Sequence, residues 1–493
     1  MTQSEAAPAA EGAGDLFDEL RIWLRDNWDP DLTVREWWER LGMAGWSAPS
    51  LPGDAYGRGL SRADAVQVAQ VIADFGALGA PGGLGRLLAA PTIATHGTRE
   101  QIDTYVQDIV TGRKGWCQLF SEPGAGSDLA GLQTRAVKDG EGWVVNGQKV
   151  WTSGGHLADL GMLLARTDPD VPKHQGITYF AFDMLQPGVD VRPLREMTGR
   201  ALFNEVFLTD ARVPDAAVIG EVNRGWVVAN STLAFERAGL GSGSGGGAGG
   251  AAGLATPGTV VGDLDRRAGD FVEGRGRRSG RGGRRGAARA GEGTRGDGAG
   301  GKEAGGKEAG GKEAGGDGRR SSEATDTEAE MVRAMRGGAG SLAELARRVG
   351  KGDDALLRQG LAELHIWNEL GRMNTLRHKA VRAAGGDVPG MPNIAKLSMS
   401  HIMRLSRDLG LEILGAAGML HGYDDESRRQ LAGIPVDPGV NAVTELALLA
   451  QGPSIYGGTD QIQRNIIGER VLGLPKEPNN DRTTPFSQLP KNA

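Results

Sequence analysis

The chain reads as an α+β multidomain protein: an N-terminal helical domain, a central β-barrel or sandwich, and a C-terminal helical bundle. Three observations predict this. Apolar residues recur at helical spacing to about Gly112. Near Trp116 the period changes to short strand-like runs, which close near Pro214. Helical spacing returns at Trp226 and, after a Gly-rich interruption, continues through the last third of the chain. A chain of 493 residues has length for two or three packed units. The boundaries expected are 1–115, 116–219, 220–475 with an insertion at 241–329, and a tail at 476–493.

Each part has its own signal. Leu16, Leu20, Ile22, Trp23 and Leu24 form one apolar stripe, and Trp37, Trp38 and Leu41 another. Pro and Gly between Trp46 and Gly59 mark a long irregular connection. Ala63–Gly76 and Arg99–Val110 read as further helices. In the middle block, Gly142 to Trp151 reads as two short strands around an Asn146-Gly147 turn, a strong hairpin signal. Met162–Ala165, Ile177–Phe182 and Asn204–Leu208 are further strands. Helical spacing resumes from Glu328 and is clearest over Leu356–Ala384, Ala395–Leu414 and Val443–Ala450.

The interruption holds most of the excess of the 81 glycines, an Arg-rich block (Arg275 to Arg289) and a repeated Gly-Gly-Lys-Glu-Ala unit. Such composition buries too little apolar surface to offset its ordering entropy, so it reads mainly as a flexible insertion. Two islands within it, Val260–Leu264 and Phe271-Val272, could still pack. An RNA-binding segment is the alternative, weakened because no aromatics interleave with the arginines.

A net charge of −6 gives no general pull toward nucleic acid or anionic membrane. Met1 to Gly14 lacks the basic and apolar regions of a secretion signal, and no apolar run approaches a membrane span. The single cysteine, Cys117, excludes an intrachain disulfide and fits a reducing cytoplasm, where the chain is expected to reside. The seven histidines have no metal-ligand spacing, so no metal is expected.

The chemistry concentrates in Phe120-Ser121-Glu122-Pro123-Gly124-Ala125-Gly126-Ser127-Asp128. Glycines at this density let backbone amides approach a ligand, and the two serines add hydroxyls. No Gly-x-Gly-x-x-Gly opens a helix here, so it is not a Rossmann loop. The stretch closely resembles the first signature of the acyl-CoA dehydrogenase family. The likeness extends from Gly45-Trp46 through Val213-Pro214 and resumes at Pro392–Leu420 and Ile455–Pro475. It implies the helix–β–helix fold, with FAD between the β unit and the C-terminal helices.

The resemblance also implies roles. Gln118, Phe120, Ser121, Gly126 and Ser127 would line FAD, with Ser127 also toward the acyl-CoA phosphates. Trp151-Thr152-Ser153 matches the Trp-x-Thr/Ser in which the indole covers a flavin face and the hydroxyl bonds near N5. Thr459 and Gln461 would contact FAD. Family members carry their catalytic glutamate at one of two sites. In the Tyr-Glu-Gly-Thr motif this chain reads Tyr456-Gly457-Gly458-Thr459, so Gly457 stands in the place of the glutamate, beside the substrate. The other site, just before an arginine on the first C-terminal helix, is filled by Glu236, with Arg237 toward substrate or CoA. The Gln-x-x-Gly-Gly motif is reduced to Glu412-Ile413-Leu414-Gly415-Ala416, and Arg266 is a weak stand-in for an Arg-x-x-Phe-Gly motif. The glycine run after Leu240 predicts a short helix around Glu236.

The function implied is FAD-dependent α,β-dehydrogenation of an acyl-CoA, with electrons passed to an electron-transfer flavoprotein, in a homo- or hetero-oligomer. The alternatives are a flavin oxidase or monooxygenase of the same fold, and a non-catalytic flavin- or CoA-binding subunit.

Overall fold

The computed structural model describes residues 13–240, 264–272, 338–478 and 481–490. Helices α1 (Ala13–Asn27), α2 (Val34–Met43) and α3 (Arg62–Phe75) open the chain. A capping box starts α2: the Thr33 hydroxyl accepts from Glu36 N–H and the Glu36 carboxylate accepts from Thr33 N–H. Gly76, at φ 82°, ends α3 in the left-handed region. Leu20, Leu24, Trp37, Trp38, Trp46 and Ile72 form the core between them. The buried indoles of Trp37 and Trp38 donate to Leu78 O at 2.7 Å and Gly79 O at 2.8 Å, so their polar edges are satisfied. Residues 264–272, inside the Gly-rich interruption, join this core through Leu264 and Ala268 and pair by backbone with Val34 and Arg35. Of the expected islands, Leu264, Phe271 and Val272 are described, and Leu264 and Phe271 pack. The Arg-rich block lies outside the described residues.

The chain then makes α4 (Ala90–His96), entered through a π turn at Gly85–Ala89. Next comes α5 (Arg99–Gln101), which passes through a second π turn at Ile102–Val106 into α6 (Gln107–Val110). Sequence reading missed α4 because Gly82, Gly83, Gly85 and Pro91 punctuate its start. Burial overrides those breakers: Leu88, Ile93, Val106 and Ile109 share one core with the sheet residues Leu119, Leu163, Phe180 and Phe182.

Seven strands follow: β1 (Trp116–Leu119), β2 (Arg135–Asp139), β3 (Gly142–Ser153), β4 (Leu160–Arg166), β5 (Ile177–Asp183), β6 (Val189–Leu194) and β7 (Phe203–Pro214). They form one sheet in the order β1-β4-β2-β3-β7-β6, with β5 on β4. The expected hairpin turn at Asn146-Gly147 is not there. Both residues lie inside the single strand β3, and the β2–β3 turn is at Gly140, which takes φ 61°. Gly147 serves packing instead: an added Cβ would lie 2.3 Å from the Thr134 hydroxyl.

The C-terminal part starts with α7 (Gly225–Leu240) and resumes with a helical run over 338–348. Then come α8 (Ala355–Ala383), α9 (Met391–Leu414), α10 (Asp425–Ala432), α11 (Val440–Leu449) and α12 (Asp460–Ile466). The expected restart at Glu328 lies outside the described residues. Leu345, Leu364, Leu409, Ile413 and Val443 make the core of this unit. The β6–β7 loop docks on it through an Arg200–Glu445 ion pair at 2.9 Å. Among the described residues no helix is long and apolar enough to cross a membrane.

Candidate active site

The loop after β1 is built on a buried ion pair. Glu122 folds back on Ala125 through two backbone hydrogen bonds of 3.0 Å, a tight turn over Pro123-Gly124. Its carboxylate accepts from Gln133 N–H at 2.6 Å, Thr134 N–H at 2.9 Å and the Lys149 ammonium at 2.8 Å. Lys149, fully buried on β3, also donates to Phe120 O at 3.1 Å. Burial alone would raise the Glu122 pKa. The charge and hydrogen bond of Lys149, with the Thr134 and Gln133 donors, outweigh it and hold the carboxyl below its ordinary value. Ser121 O accepts from Val150 N–H at 2.9 Å, so the loop is tied to β3 next to Trp151.

Trp151 and Asp210 are the two non-glycine residues of the strands with positive φ. Trp151 sits at a bulge, where the β3–β7 register shifts between Lys149 and Thr152, and takes φ 60°. The residue is 57 % exposed, and its ring meets Phe203 edge-on, with centroids 5.8 Å apart. A left-handed conformation at a bulky residue costs about 1–3 kcal/mol and persists only where the surroundings impose it. Here the bulge lets Lys149, Val150 and Thr152 all point inward while Trp151 turns out. The neighbouring Thr152 hydroxyl is buried and has no hydrogen-bond partner among the described residues.

The structure therefore brings together Gln118 on β1, Phe120, Ser121, Gly126 and Ser127 on the loop that follows it, and Trp151, Thr152 and Ser153 on the strand that loop is bonded to. Gly126 and Ser127 are exposed, and a Cβ on Gly126 would meet nothing within 4 Å. Packing within the chain does not demand a glycine there, whereas close approach of a ligand does. An exposed indole, an orphaned hydroxyl and an open glycine-rich edge fit the flavin that the resemblance implies. Sequence reading missed Glu122 and Lys149 as the clamp. The available signal was a lysine in phase with the inward residues Trp143 and Val145 of β3.

The second group lies on the C-terminal unit. Gly457 and Gly458 take φ of 63° and 84° and lead into α12, whose first amides are capped by Thr459 accepting from Ile462 N–H at 3.1 Å. Gln463 donates to Gly457 O at 2.8 Å and accepts from Asn393 at 2.6 Å, fixing this turn on α9. Asp460 is buried against Lys396 at 3.3 Å and Arg404 at 3.1 Å. These five supporting residues were not found from sequence. Gln461 is exposed.

Glu236 is half-buried on α7, one turn before its end at Leu240. The helix is not short: it has sixteen residues, anchored against β5 and α4 by buried Val228, Ala229 and Thr232. Thr232 bonds Thr92 at 2.9 Å and Ser231 bonds His96 at 2.7 Å. Arg237 is placed on the same helix. Arg266 stands over Phe271 at 4.6 Å, on the N-terminal helices.

A groove of about 640 Å³ between α5 and the sheet, near Gln101, Lys138 and Asp215, involves none of these residues.

Three domain models of the acyl-CoA dehydrogenase family match the chain: the N-terminal domain over 17–113, the middle domain over 117–211 and the C-terminal domain over 323–472. The chain is 32 % identical to acyl-CoA dehydrogenase IpdE1 of Mycobacterium tuberculosis over 478 residues, covering 93 % of this chain and 97 % of that protein. It is 52 % identical to acyl-CoA dehydrogenase FadE34 of the same organism over 204 residues, a match that spans 41 % of this chain and 28 % of that protein. Its fold is similar to that of the ChsE4-ChsE5 complex from Mycobacterium tuberculosis, with TM-score 0.59 at 24 % identity, covering 96 % of this chain and 100 % of that one. It is also similar to the Tcur3481-Tcur3483 steroid ACAD, with TM-score 0.59 at 22 % identity, covering 96 % and 99 %.

Proposed function

The chain belongs to the acyl-CoA dehydrogenase family, FAD-binding oxidoreductases acting on a CH-CH bond, and from that premise we propose that Glu236 is its catalytic base. Its carboxylate takes a proton from the α-carbon of an acyl-CoA thioester as hydride leaves the β-carbon, and an α,β-double bond forms. Bound FAD supplies the hydride acceptor.

The residues of this chain do the rest. Gln118, Phe120, Ser121, Gly126, Ser127, Trp151, Thr152 and Ser153 hold the flavin from the β unit, and Thr459 and Gln461 from the C-terminal turn. Ser127 and Arg237 serve the CoA end of the substrate, and Gly457 leaves room beside its acyl part. A carboxylate of ordinary basicity removes such a proton only where water is excluded and the geometry is held. The anchoring of α7 through Thr232 and Ser231 supplies that hold.

The observation that carries the flavin reading is Trp151: exposed, in a strained conformation, and bonded through Val150 to the Ser121 loop. Purified protein should absorb near ~370 and ~450 nm, as flavins do, and the longer-wavelength band should bleach when acyl-CoA is added without oxygen. Protein that stays colourless after FAD titration overturns the reading.

We further propose an electron-transfer flavoprotein as the electron acceptor and an oligomeric state. The second is supported by a stripe on α8, where Ile366, Leu370, Met373 and Leu376 recur at helical spacing and are each about half exposed. Because one of the structures similar in fold is described as a complex of two different chains, a hetero-oligomer is the second reading. If this chain were a non-catalytic subunit, Glu236→Gln would leave the assembled activity unchanged.

A further inference from the structure

Residues 481–490 of the C-terminal tail pack on the β unit. Phe486 N–H donates to Val171 O at 2.9 Å and Ser487 N–H to Pro169 O at 2.8 Å, so the tail is tied to the β4–β5 connection. Pro485 and Pro172 pair antiparallel beside them. The tail then makes a single 3-10 turn, Phe486–Gln488, closed by Gln488 N–H on Pro485 O at 3.0 Å. Two of its side chains meet cations. Phe486 is buried, and the Arg166 guanidinium stands 3.8 Å from its ring centroid. Asp481 pairs with the Lys173 ammonium.

Both cations are buried, and both hold the loop after β1. Arg166 donates to Ala130 O at 2.6 Å and Leu132 O at 3.5 Å, and its other branch reaches Lys173 O at 2.9 Å and Gln175 O at 3.0 Å. Lys173 donates to the Asp128 carboxylate at 2.9 Å. The residues so held, 128–132, directly follow Ser127. On the other side of the exposed Gly126-Ser127 tip, the chain is fixed by the Glu122–Ala125 turn and by Lys149. The tip is thus strung between two anchors, and the tail touches both cations of the second. A guanidinium face covered by an aromatic ring gains attraction to it, and its hydrogen bonds strengthen where water is kept away. Lys173 also depends on the tail. Burial alone would lower its pKa, and the bonds to Asp481 and Asp128 outweigh burial and raise it.

We propose that Phe486 and Asp481 are positioning residues for the loop after β1. The tail keeps Arg166 and Lys173 where they fix residues 128–132, and so sets how tightly the loop keeps FAD. The second half rests on the reading that this loop binds FAD; the first half does not.

The test is amide hydrogen exchange, read by mass spectrometry on the full-length protein without FAD. Gly131 N–H and Leu132 N–H donate within the loop, to Asp128 O at 2.9 Å and Leu129 O at 3.2 Å, so their exchange reports its opening. Phe486→Leu keeps an apolar side chain but removes the ring face. It should speed exchange over 128–132 by about 5- to 30-fold, the range for a desolvated cation–π contact. Asp481→Asn should act in the same direction by about 3-fold, and Asp481→Glu, which keeps the charge, should exchange as wild type does. Amides of β7 should not change in any of them. Loop exchange in Phe486→Leu that stays within about twofold of wild type overturns the proposal. So does a rise shared equally by β7, which would mean general loosening. FAD titration followed by flavin fluorescence then reads the consequence: Phe486→Leu should weaken binding by a factor comparable to its exchange. Faster loop exchange with FAD affinity unchanged overturns the link from tail to cofactor. A wild type that takes up no FAD sinks the flavin reading of the loop alone, because exchange still decides whether the tail holds it.

Discussion

Lys149→Met should damage the loop after β1 in a way that depends on pH in an unusual direction. Lys149 and Glu122 are both buried, 2.8 Å apart, and removing one partner of such a pair costs about 3–5 kcal/mol because the other charge stays behind. In wild type the Glu122 carboxyl is held below its ordinary value, so its contribution is complete above about pH 4.3, where the unfolded carboxyl has ionised, and is lost as pH falls through the folded value. In the variant the sign reverses. Burial, no longer countered by the ammonium, raises the Glu122 pKa, so the fold is penalised at neutral pH and relieved as acid protonates the carboxylate. Urea unfolding followed by tryptophan fluorescence at pH 8 and pH 5 reads this directly. The loss of stability should be near the full 3–5 kcal/mol at pH 8 and clearly smaller at pH 5. The double variant Glu122→Gln/Lys149→Met should recover about 1–3 kcal/mol at pH 8, since Gln carries no charge and its amide oxygen still accepts from one of the two backbone donors, Gln133 or Thr134. Equal losses at both pH values, or a double variant no better than the single one, would refute the claim that the pair clamps the loop.

Glu236→Gln should retain FAD and acyl-CoA while flavin reduction in stopped flow slows by about 10²–10⁴, with Glu236→Asp between. Gly147→Ala should destabilise the β unit by about 1–3 kcal/mol in thermal unfolding, because its methyl would meet Thr134. Cys117 is fully buried and its thiol is pushed up to about 12, so it should resist thiol reagents at pH 8 until the protein is unfolded. Leu370→Glu on the exposed stripe of α8 should lower the mass found by light scattering while leaving the circular dichroism of the protomer unchanged.

What could be read in advance follows how local its cause is. The long helices α8 and α9 are visible as periodicity because one face meets one core. The first-signature loop is visible because its composition is rare. The Asn146-Gly147 turn misled because the same dipeptide serves two purposes. In β3 the glycine is needed for Thr134 to pass over it, whereas the turn uses Gly140. Helix α4 was hidden because its breakers are overridden by a core shared with strands far away in sequence. The clamp was hidden for a similar reason. Lys149 is an ordinary strand lysine until Glu122, 27 residues earlier, is placed beside it.

Glu236 lies four residues before Leu240, after which the glycine run begins. A helix frays from its end, so what matters is where its tertiary anchors sit. Those described for α7 include Val228, Ala229, Ser231 and Thr232, all N-terminal to the base. Glu236 is one turn beyond Thr232, close enough to share its hold. The other family position offers no such support. Gly457 is at φ 63° and its carbonyl is held by Gln463, so a glutamate there would have to take the left-handed conformation, at roughly 1–2 kcal/mol. Gly457→Glu in a Glu236→Gln background should therefore cost stability in thermal unfolding. Both observations support the proposal that the base is Glu236 on α7.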